Sequence, residues 1–298
     1  MDYSTIETFL VIAKTGSLTK AAEILYVSQS TVSYRLKSLE QKLGNELIKR
    51  EQGKGSITLT DKGEEFITVA QMWKSLLNET EVWKTQSSAH KLKIGCTDSL
   101  NTCIFSKLYR KLYSSDPPIV LNIGSHWTVT IHEMIKSYEV DVGFVGWQIP
   151  SKYISSRPLF SERMVLISSV DSDFPASIHP SDLDPQNEIF LYAGPYYQSW
   201  HDYWWNNKRE NSTVDTISLL DTFIDFFDFW SIVPVSTAKT LKLRKSVKIS
   251  EIIDAPPERV CYQITNRNPL PTSKRSLEVF NEYLEAYMKS DVFNSLIK

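Results

Sequence analysis

A row of polar side chains near the start of the chain has types and spacing suited to nucleic acid. On a helix Ser30, Tyr34 and Lys37 would share one outward face, flanked by Gln29 and Ser33. Amide and hydroxyl groups can hydrogen-bond to base edges, and lysine can bind phosphate. The residues predicted to contact DNA are Ser28, Gln29, Ser30, Thr31, Ser33, Tyr34, Arg35, Lys37, Lys49, Arg50 and Lys54.

Two short amphipathic helices must position this face. Ser17 and Ser28 are each placed to cap a helix, and Gly44 is placed to end the second. Apolar residues repeat at helical spacing in both segments, which predicts a helix-turn-helix. The two buried stripes are Leu18, Ala21, Ala22 and Leu25, then Val32, Leu36, Leu39 and Leu43.

Charge separates this prediction from an ordinary helical hairpin with a solvated polar face. From Lys14 to Lys54 the chain has eight basic and four acidic residues, a net charge of +4, whereas the whole chain has a formal charge of −2. A local positive charge is what phosphate contact requires. The segment after Gly44 has two short apolar pieces around a Gly- and Lys-containing tip, which predicts a β-wing.

Thr60 is placed to cap a long helix that runs to about residue 87. Its apolar stripe has no obvious core of its own to cover, so the sequence predicts a partner helix and a homodimer. The residues predicted at this dimer interface are Phe66, Val69, Trp73, Leu76 and Leu77.

From residue 91 onward strands alternate with helices, which predicts a parallel sheet with crossover helices. Ligands bind such sheets at the carboxyl ends of strands, beside helix N-termini. A small-molecule effector site is therefore predicted in this half, and its tryptophans and tyrosines favour an apolar or aromatic ligand. The alternative is a cleft filled by its own side chains. The candidate residues are Thr97, Ser99, Asn101, Trp127, Thr128, Gly146, Trp147, Gly194, Tyr196 and Trp230.

The sequence shows little sign of catalytic or metal chemistry. Its five histidines have no metal-binding spacing, and no nucleophile-elbow, phosphate-loop or paired-carboxylate motif is present. An enzyme is therefore not expected, and neither is a metal or other cofactor. Cys96 and Cys103 allow a redox-sensing alternative, although small buried hydrophobic residues are the commoner role for such cysteines.

Several of these motifs together resemble the N-terminal domain of LysR-type transcriptional regulators. They are Phe9, GSLTKAA at 16–22, VSQSTVS at 27–33, LxxLE ending at Glu40, Gly44, Arg50 and the LTxxG of TLTDKGEEF. KLKIG, EVDVGFVG, SERMVLISS and SIVP resemble the effector domain of the same family. Ser30 departs from the proline that is common at its position.

The resemblance implies an α/β fold class, with a winged helix-turn-helix at 1–60, a linker helix at 61–88 and an effector domain at 91–298. That domain would be two-lobed like a periplasmic binding protein, with lobe I at about 91–164 and 267–298 and lobe II at about 165–266. The implied partners are double-stranded operator or promoter DNA, a small-molecule effector, a second copy of the chain in a homodimer or homotetramer, and RNA polymerase.

A cytoplasmic protein without a membrane partner is expected, because the sequence has neither a run of 18 apolar residues nor an N-terminal leader. A solute-binding protein would account only for residues 91–298 and would require such a leader. The sequence therefore favours a sequence-specific DNA-binding regulator whose DNA binding or promoter activation responds to an effector.

Overall fold

A computed structural model describes residues 2–50, 57–84, 90–114, 119–205, 212–226 and 228–297. The chain divides into two compact units, one of residues 1–88 with Lys136–Glu139 and the other of residues 89–135 with 140–298. The first unit contains α1 (Tyr3–Thr15), α2 (Leu18–Leu25), α3 (Gln29–Leu43), β1 (Ile48–Arg50), β2 (Ile57–Leu59) and α4 (Asp61–Lys84).

The second and third helices begin and end at the residues that the sequence marks. Ser17 Oγ accepts a hydrogen bond from Lys20 N at the start of α2, and Ser28 Oγ accepts one from Thr31 N at the start of α3. Gly44 ends α3 in the left-handed region, at φ 67°. The helix-turn-helix is therefore confirmed, and its core includes Ile6, Phe9, Ile12, Leu18, Ala21, Ala22, Val32, Leu36 and Leu39.

The predicted wing is present as an antiparallel pair in which Ile48 lies opposite Leu59. Glu40 of α3 fixes the wing to the helix, because its Oε1 accepts hydrogen bonds from Leu47 N at 2.8 Å and Ile48 N at 3.3 Å. These hydrogen bonds thus fix the position of the first wing strand relative to α3.

The expectation that α4 has no core of its own chain to cover is wrong for its first half. Ala70 is fully buried, and Phe66 and Trp73 pack against the three-helix core. The ring centroids of Phe9 and Phe66 lie 5.4 Å apart. Val69, by contrast, is 57% exposed, and Leu76 and Leu77 are half-buried, so these three remain the candidates for contact with a partner.

The second unit is built on two mixed sheets. Its helices are α5 (Ser106–Tyr113), α6 (Thr128–Lys136), α7 (Pro195–Trp205), α8 (Ile217–Phe223), α9 (Val235–Lys242), α10 (Pro271–Met288) and α11 (Asp291–Ile297). Its strands are β3 (His90–Cys96), β4 (Ile119–Ser125), β5 (Val142–Val145), β6 (Ile154–Glu162), β7 (Met164–Ser169), β8 (Ser177–Ile178), β9 (Ile189–Leu191), β10 (Ser212–Val214), β11 (Trp230–Pro234), β12 (Val247–Ile252) and β13 (Arg259–Asn266).

The sheet of lobe I has the strand order β4-β3-β5-β13-β6, with β3 parallel to β4 and β5, as the alternating pattern predicts. Its core includes Phe105 and Phe144, whose ring centroids lie 4.4 Å apart. The sheet of lobe II has the order β11-β7-β12-β8, with β9 and β10 paired beside it. The chain crosses to lobe II after Glu162 and returns before Arg259.

The predicted end of lobe II at residue 266 is wrong. Strand β13 pairs antiparallel with β5 and β6, so it belongs to the sheet of lobe I. Its sequence, RVCYQITN, is typical of a strand, but local pattern does not specify which sheet a strand joins. The predicted helix after β3 also begins differently, as a π-helical turn at Leu100–Phe105 that continues into α5.

Gly63 at the start of α4 generates a stability prediction. Its amide donates to Thr60 Oγ1 at 2.9 Å, and a Cβ built at Gly63 would lie 2.0 Å from the carbonyl oxygen of Leu47. Gly63→Ala should lower the free energy of unfolding by ~1–3 kcal/mol, because the backbone before the wing must shift. Intrinsic helix propensity alone would raise stability by up to ~1 kcal/mol, so the sign is informative.

Urea denaturation of the full chain measures this effect, with Glu64→Ala as the control, since Glu64 is exposed in the same helical turn. The control should stay within about 0.5 kcal/mol of the parent. A Gly63→Ala protein as stable as the parent, or more stable, would show that the close approach does not constrain α4.

Candidate nucleic-acid interface and ligand cavity

The outward face of α3 carries the polar side chains that the sequence predicts there. Gln29, Ser30 and Lys37 are exposed, and Tyr34 is 75% exposed. Ser33 is half-buried beside them. The face therefore presents amide, hydroxyl, phenol and ammonium groups to solvent along successive turns of one helix.

Hydroxyl groups at the start of α3 form a local network. Ser28 Oγ lies 2.8 Å from both Ser30 Oγ and Thr31 Oγ1, and it also accepts the capping hydrogen bond from Thr31 N at 3.1 Å. This network holds the hydroxyls near the helix N-terminus, where the backbone amides favour an anion such as phosphate.

Arg35 is positioned differently from the rest of the predicted set. It is half-buried, and its Nη1 donates to Thr8 Oγ1 of α1 at 3.4 Å. The arginine therefore helps to orient α1 against α3. Its guanidinium has further N–H groups that this single hydrogen bond does not use.

A groove runs between α3 and the wing. It is lined by Tyr34, Lys37 and Ser33 from the helix and by Lys49 from β1, with Glu40 and Glu46 also in the lining. Since Glu40 accepts hydrogen bonds from two wing amides, its carboxylate is directed at the backbone, and the two lysines supply the positive charge of the groove. The Arg50 side chain and Lys54, also predicted to bind phosphate, lie outside the described residues.

The second unit contains a cavity of about 220 Å³ between its two lobes. The cavity lies at the carboxyl ends of β3, β4 and β5, as expected for a parallel sheet. Five of the predicted effector residues line it: Thr97, Ser99, Trp127, Thr128 and Trp147. Lobe II contributes Leu191, Tyr192, Ala193, Asp215, Thr216, Ile217 and Pro234.

Asp98 joins the two lobes at this cavity. Its Oδ2 accepts a hydrogen bond at 2.8 Å from Ile217 N, the first residue of α8. The carboxylate of lobe I therefore occupies the position at the N-terminus of α8 where an anionic ligand would otherwise bind. Thr216 is the N-cap residue of the same helix, and its Oγ1 accepts from Leu219 N.

Arg259 and Glu162 form a buried ion pair where the chain crosses between the lobes. The Arg259 side chain is 6% exposed and that of Glu162 is fully buried, and Nε and Nη2 of the arginine both donate to Glu162 Oε1. Glu162 Oε2 accepts from Ser236 N at 3.1 Å in the first turn of α9, and Arg259 Nη1 donates to Ser99 Oγ in lobe I.

Sequence reasoning missed this pair, although Arg259 lines the cavity. The two residues are 97 positions apart and lie opposite each other only because β6 and β13 pair in one sheet. A charged residue at the end of each strand was visible in the sequence, but their pairing was not.

Thr128 lies at the start of α6 and lines the cavity. The residue is fully buried, and its Oγ1 has no hydrogen-bond partner among the described residues. His132 fixes the backbone here: Ile149 N donates to Nε2 at 3.2 Å, so Nδ1 carries the proton and donates to the Thr128 carbonyl at 2.8 Å.

Trp147 lines both this cavity and a smaller one of about 160 Å³. The indole contacts Tyr192 edge to face, with ring centroids 5.6 Å apart. It also packs beside Gly194, where a Cβ would lie 3.0 Å from the indole and φ is 113°. Three predicted effector residues, Gly146, Gly194 and Tyr196, line the smaller cavity with Trp147.

Two predicted effector residues line neither cavity. Trp230 is fully buried in the core of lobe II, and its Nε1 donates to the Asp184 carbonyl at 3.0 Å. Asn101 instead links the π-helical turn to β4 and α5: Nδ2 donates to Ser125 Oγ at 2.9 Å, and Oδ1 accepts from Tyr109 at 2.7 Å. Phe226 and Phe229, the described phenylalanines just before β11, line neither cavity.

The cysteines do not have the character of peroxide-reactive thiols. Cys96, Cys103 and Cys261 are all free and buried. Desolvation by burial raises the pKa of each thiol, well above its ordinary value for Cys96. Because the thiolate is the reactive form, this environment suppresses oxidation.

Among the described residues, no cluster of three or more histidine, cysteine, aspartate or glutamate side chains is arranged to hold a metal. None of the helices described has both the length and the apolar character needed to cross a membrane.

Comparison with known families accounts for both units. Residues 3–64 match the bacterial regulatory helix-turn-helix family of LysR type, and residues 85–287 match the LysR substrate binding domain. The chain belongs to the LysR family of transcriptional regulators. The resemblance noted in its sequence motifs is thereby confirmed.

Curated relatives support the same family at lower coverage. The uncharacterized regulator YcgK of Bacillus subtilis is 32% identical over 170 residues, which span 56% of this chain and 52% of YcgK. The chain thus spans little more than half the length of the first curated relatives that it matches.

Solved structures show the fold across nearly the whole LysR-family chain. A full-length OxyR variant from Pseudomonas aeruginosa has a TM-score of 0.63 at 20% identity, and the match covers 98% of this chain and 96% of that one. CbnR, a LysR family regulator, has a TM-score of 0.59 at 18% identity, and the match covers 97% of this chain and 100% of CbnR.

The buried ion pair generates a prediction for this LysR-family protein. Arg259→Ala should lower the free energy of unfolding of the second unit by ~3–5 kcal/mol, because Glu162 would be left buried without its counterion. This loss is measured from the unfolding transition in denaturant, which is monitored by tryptophan fluorescence. Arg163→Ala is the matched control: Arg163 pairs with Glu251 at the surface, a pair worth about 0–1 kcal/mol. Equal losses for the two variants would contradict the assigned role of Arg259.

Proposed function

We propose that this LysR-family chain is a sequence-specific transcription regulator. It binds double-stranded operator or promoter DNA through α3 and the wing, and a small molecule in the cavity of the second unit modulates DNA binding or promoter activation. The observation that carries the proposal is the exposed polar face of α3 beside the groove lined by Lys37 and Lys49. CbnR, one of the proteins with this fold, has been solved in complex with its target DNA.

The proposed DNA contacts are of two kinds. Gln29, Ser33 and Tyr34 lie in the N-terminal half of α3, the part that enters the major groove in helix-turn-helix proteins. Lys37 and Lys49 flank the groove next to the wing, where they would bind phosphates without reading sequence. Ser28, Ser30 and Thr31 add hydroxyl groups at the helix start.

A homodimer built on α4 would place two reading helices on one operator. Val69, Leu76 and Leu77 offer apolar surface on this helix that the first unit's core leaves partly uncovered. A second pairing into a homotetramer, contact with RNA polymerase and a location in the cytoplasm complete the proposal.

The effector acts by favouring one arrangement of the protein over another. A ligand with equal affinity for two arrangements shifts neither, whereas a preference of ~1–3 kcal/mol changes promoter occupancy several-fold. The Arg259–Glu162 pair lies at the crossing between the lobes and has hydrogen-bond partners in both. A ligand in the cavity could therefore change the arrangement of both lobes through this pair.

Loss of base-reading side chains should change specificity. Gln29→Ala and Ser33→Ala should each reduce the preference for the operator over a base-substituted operator by ~1–3 kcal/mol, because a base contact is removed. Lys49→Ala should weaken binding to all DNA sequences alike and reduce the salt dependence of the affinity. Footprinting on the DNA upstream of the chain's own gene first locates the operator. Gel-shift titrations with that operator at several salt concentrations then measure both effects.

Gln41→Ala is the control for this set, since Gln41 is exposed at the far end of the same helix. It should bind operator and variant DNA as the parent does. Equal weakening on specific and random DNA for Gln29→Ala and Ser33→Ala would contradict base reading by α3.

A charge on the exposed stripe of α4 should break the dimer. Leu77→Glu removes apolar burial worth ~1.5–3 kcal/mol per side chain and buries a carboxylate at the interface. Light scattering should then show a lower mass, together with weaker binding to an operator with two half-sites. Asn78→Glu adds the same charge at an exposed neighbouring position and should do neither. Unchanged mass and affinity in Leu77→Glu would exclude this face of α4 as the interface.

A further inference from the structure

We infer that the ligand of the larger cavity carries a positively charged amine on an aromatic or apolar body. This inference rests on the proposed function, because it names the chemical class of the effector at that same site. Its basis is the number of carboxylates in the cavity lining that have no cationic partner.

The cavity has an excess of negative charge. Arg259, its arginine, is neutralised by the buried Glu162. Asp98 accepts a hydrogen bond from the neutral amide of Ile217 with one oxygen and forms no ion pair with the described residues. Asp215 also lines the cavity, is exposed, and makes no hydrogen bond or ion pair with the residues that the structure describes. His126 and Tyr192 are the other titratable side chains in the lining.

Two backbone amides at helix starts in lobe II are already occupied by carboxylates of the chain itself. The N-terminal amide of α8 donates to Asp98, and the amide of Ser236 in the first turn of α9 donates to Glu162. A carboxylate ligand at either of these helix starts would have to displace one of these groups, and it would share the cavity with the carboxylate of Asp215. An ammonium group avoids both costs and gains charge-assisted hydrogen bonds.

A second observation points to a ligand independently of the charges. Thr128 is fully buried, its Oγ1 has no partner among the described residues, and the cavity that it lines also includes Trp127, Trp147 and Tyr192. A buried hydroxyl without a partner costs free energy unless something binds it. Aromatic walls suit an aromatic body, and their faces also attract a cation.

Three probes with the same phenyl body test the class: 2-phenylethylamine, 2-phenylethanol and 3-phenylpropionate. Binding to the full chain is measured by calorimetry and by tryptophan fluorescence. The amine should bind about tenfold more tightly than the acid, with the alcohol between them. Asp215→Asn should remove most of the amine's advantage over the alcohol, and Asp173→Asn, an exposed aspartate outside the cavity lining, should leave it unchanged.

Thr128→Val supplies a readout that a structural role alone would not give. It should raise the thermal stability of the ligand-free protein, because an unsatisfied buried hydroxyl is removed. It should also weaken the binding of the amine and of the alcohol. If the acid binds best and Asp215→Asn has no effect, the amine inference is overturned while the effector cavity stands. Binding of none of the three probes would overturn both the inference and the proposed effector role of the cavity.

Discussion

The ion pair between Arg259 and Glu162 is the interaction on which the second unit depends. Each lobe is connected to the other through strands that end or begin at these two residues, and each residue also holds a helix start or a loop of one lobe. Removing two charges from water is costly, and the pair is tolerated because the oxygens and nitrogens it buries have several hydrogen-bond partners. The position of the lobes around the cavity and the charge that the cavity presents to a ligand both follow from this arrangement.

The first unit depends on a comparable constraint, built on backbone contacts. Glu40 and Gly63 bring the end of α3, the wing and the start of α4 together. A reading helix is useful only if the phosphate-binding wing is held at a fixed distance from it, since register on the duplex is set by the phosphate contacts. The family motifs around these positions therefore mark geometry rather than base contact.

Much of this architecture could be predicted from the sequence, because caps, helical stripes and strand alternation are local signals. Ser17, Ser28 and Gly44 mark their helix ends correctly, and the loops after β3, β4 and β5 do supply cavity residues. Long-range pairing was not predictable: β13 joins the other sheet, and Trp230 lies in a core. Local pattern shows that a residue is apolar or charged, but not which distant partner it meets.

The hydrogen bond from Ile217 N to Asp98 has a kinetic consequence. Separating the lobes would expose that amide and carboxylate to water and would break the contact of Trp147 with Tyr192. A ligand that contacts both lobes would add to these interactions, so the lobes would separate less often while it is bound. The effector would then leave more slowly than contacts with one lobe alone would allow, and the regulator would keep its response through brief falls in effector concentration.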